Sequence, residues 1–332
     1  MKIVIDAMSG DNAPKAIVEG ALLAVKHFEH QIVLTGDTDT IKKCVSELGH
    51  DPEKAGFEIV HTTETIAMDE NPFNIKSKKD SSMRVALDML ARGEADACVS
   101  AGSTGALYSG AVLFVSRIKG VKKAAIASVI PFENPVLLLD SGANVMIEPE
   151  HIEVFALMGS AYMKDVLGVE NPRVGLLNNG TEPTKGTQIL RDTYEKLSAR
   201  TDINFIGNVE AKTLPFGVCD VLVTDGFSGN LVLKLTEGLG AFFMKKLKGV
   251  YKKNVITLAS AALVKKELSA MKKDFDASEH GGAPLLGIKK PVIKAHGSSD
   301  AKAIMNAVRA AAIYAETGVA DKIEKSLNSG KE

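Results

Sequence analysis

The chain has 332 residues, of which 45% are hydrophobic and 24% charged, so a large folded core is expected and wholesale disorder is excluded. Lysine and arginine together number 40 against 41 acidic residues, a balance that argues against a nucleic-acid-binding protein. Three cysteines (Cys44, Cys98 and Cys219) without a CxxC pair indicate a reducing compartment. Because there is no apolar signal segment and no apolar run of roughly 18 residues, we expect a cytosolic protein.

Short runs of Val, Ile and Leu alternate along the chain with longer helical patterns. This alternation predicts βαβ units around a parallel sheet, within a single α/β domain over residues 1–332. The predicted strands are 2–5, 31–35, 57–60, 97–100, 124–130, 136–139, 174–178, 204–206, 221–224 and 291–295. The predicted helices are 14–28, 40–48, 83–91, 105–115, 150–167 and 300–316.

Residues 231–276 interrupt this alternation and predict a helical hairpin insertion. Its apolar tip, 255–264, is bracketed by lysine pairs at 252–253 and 265–266. Two apolar stripes at helical spacing flank the tip: Leu235, Leu239, Phe242, Phe243, Leu247 and Val250, then Val264, Leu268, Met271 and Phe275. The tip is too short to span a bilayer but can contact an anionic membrane surface. The predicted membrane contacts are Val255, Ile256, Leu258 and Leu263; packing in a dimer interface or in the core is the alternative.

Glycine-rich polar segments follow many of the predicted strands. They are 6–11, 100–105, 140–144, 178–186, 224–230 and 296–300. In an open parallel sheet, ligands bind outside the carboxyl ends of the strands. Loops that combine glycine with Asn, Ser, Thr or Asp can hold a phosphate-sized anion through backbone N–H groups. For any one loop, an ordinary turn with a side-chain cap is the alternative.

Several motifs of known enzyme classes are missing, which narrows the range of reactions that the chain could catalyse. The sequence has no GxGxxG after its first strand, no GxxxxGK[ST], no GxSxG and no HExxH. Cys98 lies within an apolar strand and Cys219 beside one, so both are interpreted as buried structural thiols. His296 differs from the other histidines because it ends a predicted strand and leads into a Gly-Ser-Ser-Asp helix entry.

Taken together, these segments resemble the PlsX family of bacterial acyl-ACP:phosphate acyltransferases over nearly the whole chain. The matching motifs, in order, are DAMSGDNAP, SAGSTGAL, LLLDSGAN, PRVGLLNNGTEPTKG, NFIGNVE, VTDGFSGN and GGAPLLGIKKPVIKAHGSSD. The chain departs from the family at three positions: Ser9 stands where Gly is usual, Ser103 where Asn is usual, and Ser141 where an apolar residue is common.

The resemblance implies a doubly wound, Rossmann-like α/β/α sandwich related to isopropylmalate dehydrogenases and phosphotransacetylases, and a homodimer. It also implies an acyl carrier protein as acyl donor and inorganic phosphate as acceptor, with no metal and no organic cofactor. Members associate peripherally with the inner face of the cell membrane, which favours the membrane interpretation of the hairpin tip.

Direct attack by phosphate requires no protein nucleophile, so the expected work of the site is positioning and oxyanion stabilisation. Lys185 is the predicted cation beside phosphate, and backbone N–H groups of Gly102, Ser103, Thr104 and Gly105 are the predicted cradle. Asn179 and Asn230 are predicted to donate hydrogen bonds to the thioester oxygen or to phosphate. His296 is predicted to donate to the oxyanion or to the leaving thiolate, and Asp225 to orient one of these donors. The predicted substrate contacts are Asp6, Asn144, Gly226 and Ser298. Each could instead cap a helix or form a turn.

An acidic carrier protein needs a basic landing site. Two clusters are candidates: Lys76, Lys78, Lys79 and Arg84, or Lys245, Lys246 and Lys248. The nearest competing function is a phosphotransacetylase-like transfer of short acyl groups between coenzyme A and phosphate. Two more distant functions are an NAD-linked hydroxy-acid dehydrogenase and a catalytically silent membrane scaffold.

Overall fold

The computed structural model describes residues 1–132, 134–266, 268 and 281–329. Its strands are β1 (Lys2–Asp6), β2 (Gln31–Gly36), β3 (Glu58–His61), β4 (Ala97–Ser100), β5 (Ala125–Ile126), β6 (Ser128–Ile130), β7 (Val136–Leu139), β8 (Arg173–Leu177), β9 (Asn204–Val209), β10 (Val221–Val223), β11 (Ala283–Leu286) and β12 (Val292–Lys294). Its helices are α1 (Lys15–His27), α2 (Thr38–Glu47), α3 (Ser82–Arg92), α4 (Thr104–Gly110), α5 (Pro149–Asp165), α6 (Gln188–Ser198), α7 (Gly226–Tyr251), α8 (Val255–Leu263), α9 (Ala301–Thr317) and α10 (Val319–Ser329).

Within these residues the strands form two sheets, in the orders β3-β2-β1-β4-β12-β11-β5 and β6-β7-β10-β8-β9. Strands β1, β2, β3, β4 and β12 run parallel in the first sheet, and β7, β10, β8 and β9 run parallel in the second. The predicted α/β fold built on parallel strands is thus confirmed. The segment predicted as one strand, 124–130, breaks at Ala127, so that β5 belongs to the first sheet and β6 to the second.

The two faces of the first sheet follow from the alternation of side chains along a strand. Ile3 and Ile5 of β1 are buried with α1 and α9, whereas Val4 is buried on the opposite face with α3 and α4. Gly20 allows α1 to approach α9 closely, because a Cβ there would lie 2.6 Å from Ile304 Cβ. Residues of both sheets share the first of these cores, where Tyr162 of α5 meets Tyr314 of α9 edge to face at 5.7 Å.

Helix α7 carries the first predicted hairpin stripe. Its buried residues are Gly226 and Gly229 in the first turn, and the apolar residues Leu235, Leu239, Phe242, Phe243 and Val250 are exposed. The apolar tip forms the short helix α8, which begins after an Asn254–Thr257 capping box. Met271 and Phe275 of the second stripe lie outside the described residues. Among the helices of the described ranges, none is long and apolar enough to cross a membrane.

Candidate functional site

Three of the glycine-rich loops leave the carboxyl ends of neighbouring parallel strands, β1, β4 and β12. The Asp11 N–H donates to the Gly297 carbonyl at 2.8 Å, which joins the loop after β1 to the loop after β12. Gly10 has a φ of +120°, and a Cβ there would lie 3.0 Å from Ala101 Cβ. Only glycine adopts this backbone conformation readily, so Gly10 permits the contact between the first loop and the loop after β4.

Asp6, the last residue of β1, is hydrogen-bonded to residues that hold these loops in place. Its carboxylate is fully buried and accepts hydrogen bonds from Ser82 Oγ at 2.5 Å and Ser100 Oγ at 2.7 Å. Ser100 Oγ in turn accepts from the Gly102 N–H at 3.1 Å, so Asp6 positions the start of the Ser103 loop. Burial raises the pKa of Asp6, although the serine hydroxyls oppose the shift. Substrate contact by Asp6 stays a prediction, but both of its oxygens already have protein partners.

Residues 103–105 have unused donors. Ser103 is buried and precedes α4, while Thr104 is exposed. The N–H groups of Ser103, Thr104 and Gly105 have no acceptor in the described part of the chain. The Gly102 N–H, by contrast, is occupied by Ser100. Of the four predicted cradle residues, three therefore retain a free backbone donor for an anion.

Lys294, the last residue of β12, also lies at this edge, although no sequence motif singled it out. It pairs with Ser100 in the sheet register. Its ammonium donates to the carbonyl oxygens of Ala295 and Ala101, the latter at 3.4 Å. Burial lowers the pKa of Lys294 to about 8, against the opposing influence of Asp11 and Asp6. Two features of the sequence could have indicated it: a lysine in an otherwise apolar predicted strand, and a position two residues before His296 in the last family motif.

The loop after β7 is organised around its own aspartate. The Asp140 carboxylate accepts from the N–H groups of Ile126, Gly142, Ala143 and Asn144 and from Asn144 Nδ2. Asn144 Nδ2 also donates to the Ala124 carbonyl at 2.6 Å, and Tyr108 Oη lies 3.2 Å from Asn144 Oδ1. Burial raises the pKa of Asp140 despite these bonds. Asn144 thus joins α4 to the loop after β7, and its predicted contact with substrate stays a prediction.

The first turn of α7 packs on this loop. Gly226 N–H donates to the Asn144 carbonyl at 2.7 Å, and a Cβ at Gly229 would overlap the Asp140 carbonyl. Asp225 is the N-cap, since its Oδ1 accepts from the N–H groups of Phe227 and Ser228. The side chain of Asn230 lies beside Gly142, 3.7 Å from the position of a Cβ there. The structure therefore brings Asn230 to the same loop as Asn144.

Lys185 and Asn179 are exposed in the loop after β8, which leaves the sheet next to the loop after β10. Asn178 organises this loop, because its Nδ2 donates to the Lys185 carbonyl at 3.2 Å and its Oδ1 accepts from the Asn179 N–H at 2.8 Å. The Lys185 side chain packs over Gly180. In the described part of the chain, no hydrogen bond or ion pair connects Lys185 to the Ser103 loop.

His296 and Ser298 are exposed in the loop after β12. His296 Nδ1 accepts from the Ser298 N–H at 3.2 Å and lies 2.8 Å from Ser298 Oγ. Because Nδ1 is an acceptor, the neutral ring carries its proton on Nε2, which is then available as a donor. Ser298 is held in turn by Asn12 Nδ2, which donates to its carbonyl at 3.0 Å.

Cys98 and Cys219 are not candidate nucleophiles. Cys98 and Cys219 are buried, which confirms the prediction of structural thiols. Burial raises the pKa of both thiols, that of Cys219 to about 12. Since the thiolate is the reactive form, neither side chain is activated for attack.

The comparisons with known proteins agree with the motifs. The model of a family described as fatty acid synthesis protein matches residues 1–322. A phosphate acyltransferase of Bacillus licheniformis is 46% identical over 330 residues, which cover 98% of both chains. A phosphate acyltransferase of Clostridioides difficile is 44% identical over 335 residues, covering 100% of this chain and 98% of its own. The resemblance to the PlsX family is thereby confirmed.

Solved structures show the fold. A phosphotransacetylase from Streptococcus pyogenes superposes with a TM-score of 0.65 at 17% identity, covering 96% of this chain and 94% of its own. A 4-hydroxythreonine-4-phosphate dehydrogenase from Klebsiella pneumoniae gives 0.56 at 12% identity, covering 95% and 99%. The predicted phosphotransacetylase-like fold is confirmed; at these identities the likeness carries no information on substrates.

Proposed function

Because this chain belongs to the fatty acid synthesis protein family and is an acyltransferase, we propose that it transfers a long-chain acyl group from acyl carrier protein to inorganic phosphate. The product, acyl phosphate, would supply phospholipid synthesis. The observation that supports this proposal most is the group of unfilled N–H donors at Ser103, Thr104 and Gly105, beside a buried lysine. Such a constellation suits a small oxyanion.

The chemistry needs no covalent acyl-enzyme. A phosphate oxygen attacks the thioester carbonyl carbon, a C–O bond forms, and the C–S bond breaks as the thiolate leaves. Near neutral pH phosphate is already anionic, and a thiol with a pKa of about 8.5 is a tolerable leaving group. The enzyme contributes by holding the two reactants together and by stabilising the carbonyl oxygen as it gains negative charge.

The predicted residues divide this work. The exposed ammonium of Lys185 is the proposed partner of the negative charge that develops on phosphate or on the carbonyl oxygen. Asn179 and Asn230 are proposed donors to the same oxygens. His296, with its proton on Nε2, is proposed to donate to the oxyanion or to protonate the departing thiolate. Asp225 is proposed to orient the first turn of α7, including Asn230, through its N-cap bonds.

The exposed apolar stripe on α7 favours a homodimer. Its members, Leu235, Leu239, Phe242, Phe243 and Val250, leave a contiguous apolar surface along one helix. Surfaces of this kind mark protein interfaces more often than they face water. We therefore propose that the α7 stripe packs against a second copy of this chain.

Helix α8 is proposed to contact the membrane surface. Ile256 is 81% exposed, Leu258 58% and Leu263 85%. The lysines at 252–253 and 265–266 lie immediately outside this apolar helix, where anionic lipid headgroups would meet them. The enzyme is therefore proposed to work at the inner face of the cell membrane, where its lipid-soluble product is needed.

The proposed landing site for the acidic carrier protein is the second lysine cluster, on α7. In the first cluster, Lys78 pairs with Glu70 at 2.8 Å and Arg84 pairs with Asp88 at 2.9 Å, so half of its charges are neutralised. Lys245, Lys246 and Lys248 make no ion pair in the described residues. The Lys246 ammonium lies over the Phe242 ring of the apolar stripe, 5.5 Å from its centroid, so Lys245 and Lys248 are the proposed contacts with the carrier protein. The excess positive charge thus lies on α7.

The experiment that tests the proposal is an assay of thiol release from a long-chain acyl carrier thioester, with and without inorganic phosphate. Phosphate-dependent release with acyl phosphate trapped by hydroxylamine is the expected result. Activity with acetyl-coenzyme A alone would instead support the phosphotransacetylase-like function, which uses the same reaction and is compatible with the same fold.

A further inference from the structure

Lys294 lies at the carboxyl edge of the first sheet, where a ligand-binding residue is expected. It ends β12 directly beside Ser100 of β4. Its Nζ contacts the carbonyl oxygens of Ala101 and Ala295, the residues with which the loops after β4 and β12 begin. The ammonium therefore lies at the carboxyl edge of the sheet, where ligands of parallel sheets bind.

This ammonium lacks a direct counter-ion. Lys294 is 9% exposed, and no carboxylate lies within ion-pair distance of it in the described residues. Asp6 and Asp11 are the charged groups whose fields reach it, and Asp6 is already engaged by Ser82 and Ser100. Burying a cation without a contacting counter-ion costs free energy, and a bound anion would reduce that cost.

Two polar side chains at this position have unused hydrogen-bonding capacity. An ammonium carries three N–H donors, and Lys294 uses two of them within the described residues. The Ser9 hydroxyl is buried and has no hydrogen-bond partner in the same residues, although it lies near enough to Asp6 to lower its pKa. Ser9 Oγ would be 3.1 Å from a Cβ on Gly102, so both side chains adjoin the Ala101–Gly102 backbone.

We propose that Lys294 is the buried cation that binds inorganic phosphate, the acyl acceptor, at the carboxyl end of β4. The identity of the anion rests on the function proposed above. Lys294 would hold the phosphate before the thioester arrives, whereas the exposed Lys185 acts on charge that develops during the reaction. The two lysines then have separable effects: Lys294 sets phosphate affinity and Lys185 sets turnover.

The test is calorimetric titration of the apo-protein with inorganic phosphate, without any acyl donor. We expect Lys294→Met to weaken phosphate binding at pH 7 by at least about tenfold, and Lys294→Arg to retain most of it. Lys290→Met is the matched control, because Lys290 is half-buried at the opposite end of β12 and donates to the Leu90 carbonyl at 2.9 Å. This control should bind phosphate as the wild type does.

The pH dependence separates a cationic role from a structural one. The charged groups whose fields reach Lys294 are Asp6, the last residue of β1, and Asp11 in the loop after it. The other titratable side chains nearest to it along the paired strands are the buried thiol of Cys98, which pairs with Val292, and His296 beyond β12. Lys294 loses its proton as pH rises through about 8, so wild-type affinity should fall there relative to Lys294→Arg, whose guanidinium stays charged. Protonation of phosphate itself affects both proteins equally, so it cancels when the wild-type affinity is compared with that of Lys294→Arg.

Unchanged affinity in Lys294→Met, or the same fall through pH 8 in Lys294→Arg, would overturn the proposal. So would a wild-type protein that binds no phosphate without acyl donor. If Lys294→Met does not fold, the pH comparison with Lys294→Arg decides alone. If phosphate binds through Lys294 but acyl carrier thioester is not turned over, the phosphate site stands and the proposed acyl donor is wrong.

Discussion

The ammonium nitrogen of Lys294 lies 3.4 Å from the carbonyl oxygen of Ala101, where the loop after β4 begins. The Lys294 side chain is buried at this position, and burial lowers its pKa to about 8 from the usual 10.5. Such a shift links protonation of this residue to the stability of the fold.

The linkage predicts the pH dependence of stability in the apo-protein. Between pH 8 and 10.5 the unfolded chain binds more protons at Lys294 than the folded protein, so the contribution of Lys294 to the free energy of unfolding rises with pH. Relative to Lys294→Met, the gain should reach on the order of 3 kcal/mol at the upper end. Urea denaturation of both proteins at pH 8, 9 and 10 measures it. Parallel pH profiles for the two proteins would be inconsistent with a depressed pKa.

A second prediction concerns Lys185. Replacing it by Ala should lower kcat by about a hundredfold or more, with a smaller change in the KM for phosphate, if its charge acts mainly in the transition state. Lys164→Ala is a suitable control, since Lys164 is an exposed lysine in the last turn of α5. Near-normal kcat in Lys185→Ala would remove this side chain from the mechanism.

A third prediction separates the two roles considered for His296. If its Nε2 proton goes to the leaving thiolate, His296→Ala should slow ordinary thioesters by about a hundredfold but slow thioesters of acidic thiols much less. His27→Ala, at the end of α1, is the control. An equal loss with all leaving groups would assign the histidine to the oxyanion instead.

The α7 stripe gives a prediction about assembly. Phe243→Lys places a charge within the proposed dimer contact and should convert the dimer to monomer at micromolar concentration, as measured by analytical ultracentrifugation. Glu237→Lys introduces a lysine elsewhere on α7, with an even larger change in charge, and should leave the dimer intact. A dimeric Phe243→Lys protein would show that the stripe is not the interface.

The tip helix α8 gives a prediction about membranes. Ile256→Asp combined with Leu263→Asp should reduce sedimentation with anionic phospholipid vesicles by at least about tenfold, because two apolar contacts become charged. Ile313→Asp changes an exposed isoleucine on α9 and serves as the control. Vesicle binding that survives the double substitution would place the membrane contact outside α8.

Much of the fold could be predicted because its strands are buried on both faces and read as continuous apolar runs, as in Val136–Leu139. Strand β11 was missed because Pro284 is unusual within a strand, and here it lies in a short antiparallel pairing. Helix α6 was missed although Ile189, Leu190 and Leu197 recur at helical spacing after the N-cap Thr187. The division of strands between two sheets depends on long-range pairing, which periodicity does not encode.

That the glycine-rich loops form the site stays a prediction, and the sequence could not indicate which of their hydrogen-bonding groups remain free. Glycine and polar residues marked the loop after β7, yet its N–H groups are filled by Asp140 of the same loop. Lys294 lies within the motif GGAPLLGIKKPVIKAHGSSD, but its burial arises from the pairing of β12 with β4, which the motif does not reveal. Which hydrogen-bonding groups are already paired, and which side chains are buried, depends on tertiary contacts and cannot be predicted from local sequence.

Phosphate-dependent formation of acyl phosphate from a long-chain acyl carrier thioester is the most direct test of the proposed activity. We predict thiol release only when inorganic phosphate is present, with one equivalent of acyl phosphate trapped per thiol. Thiol release that is independent of phosphate, or no turnover of the carrier thioester at all, would contradict the account.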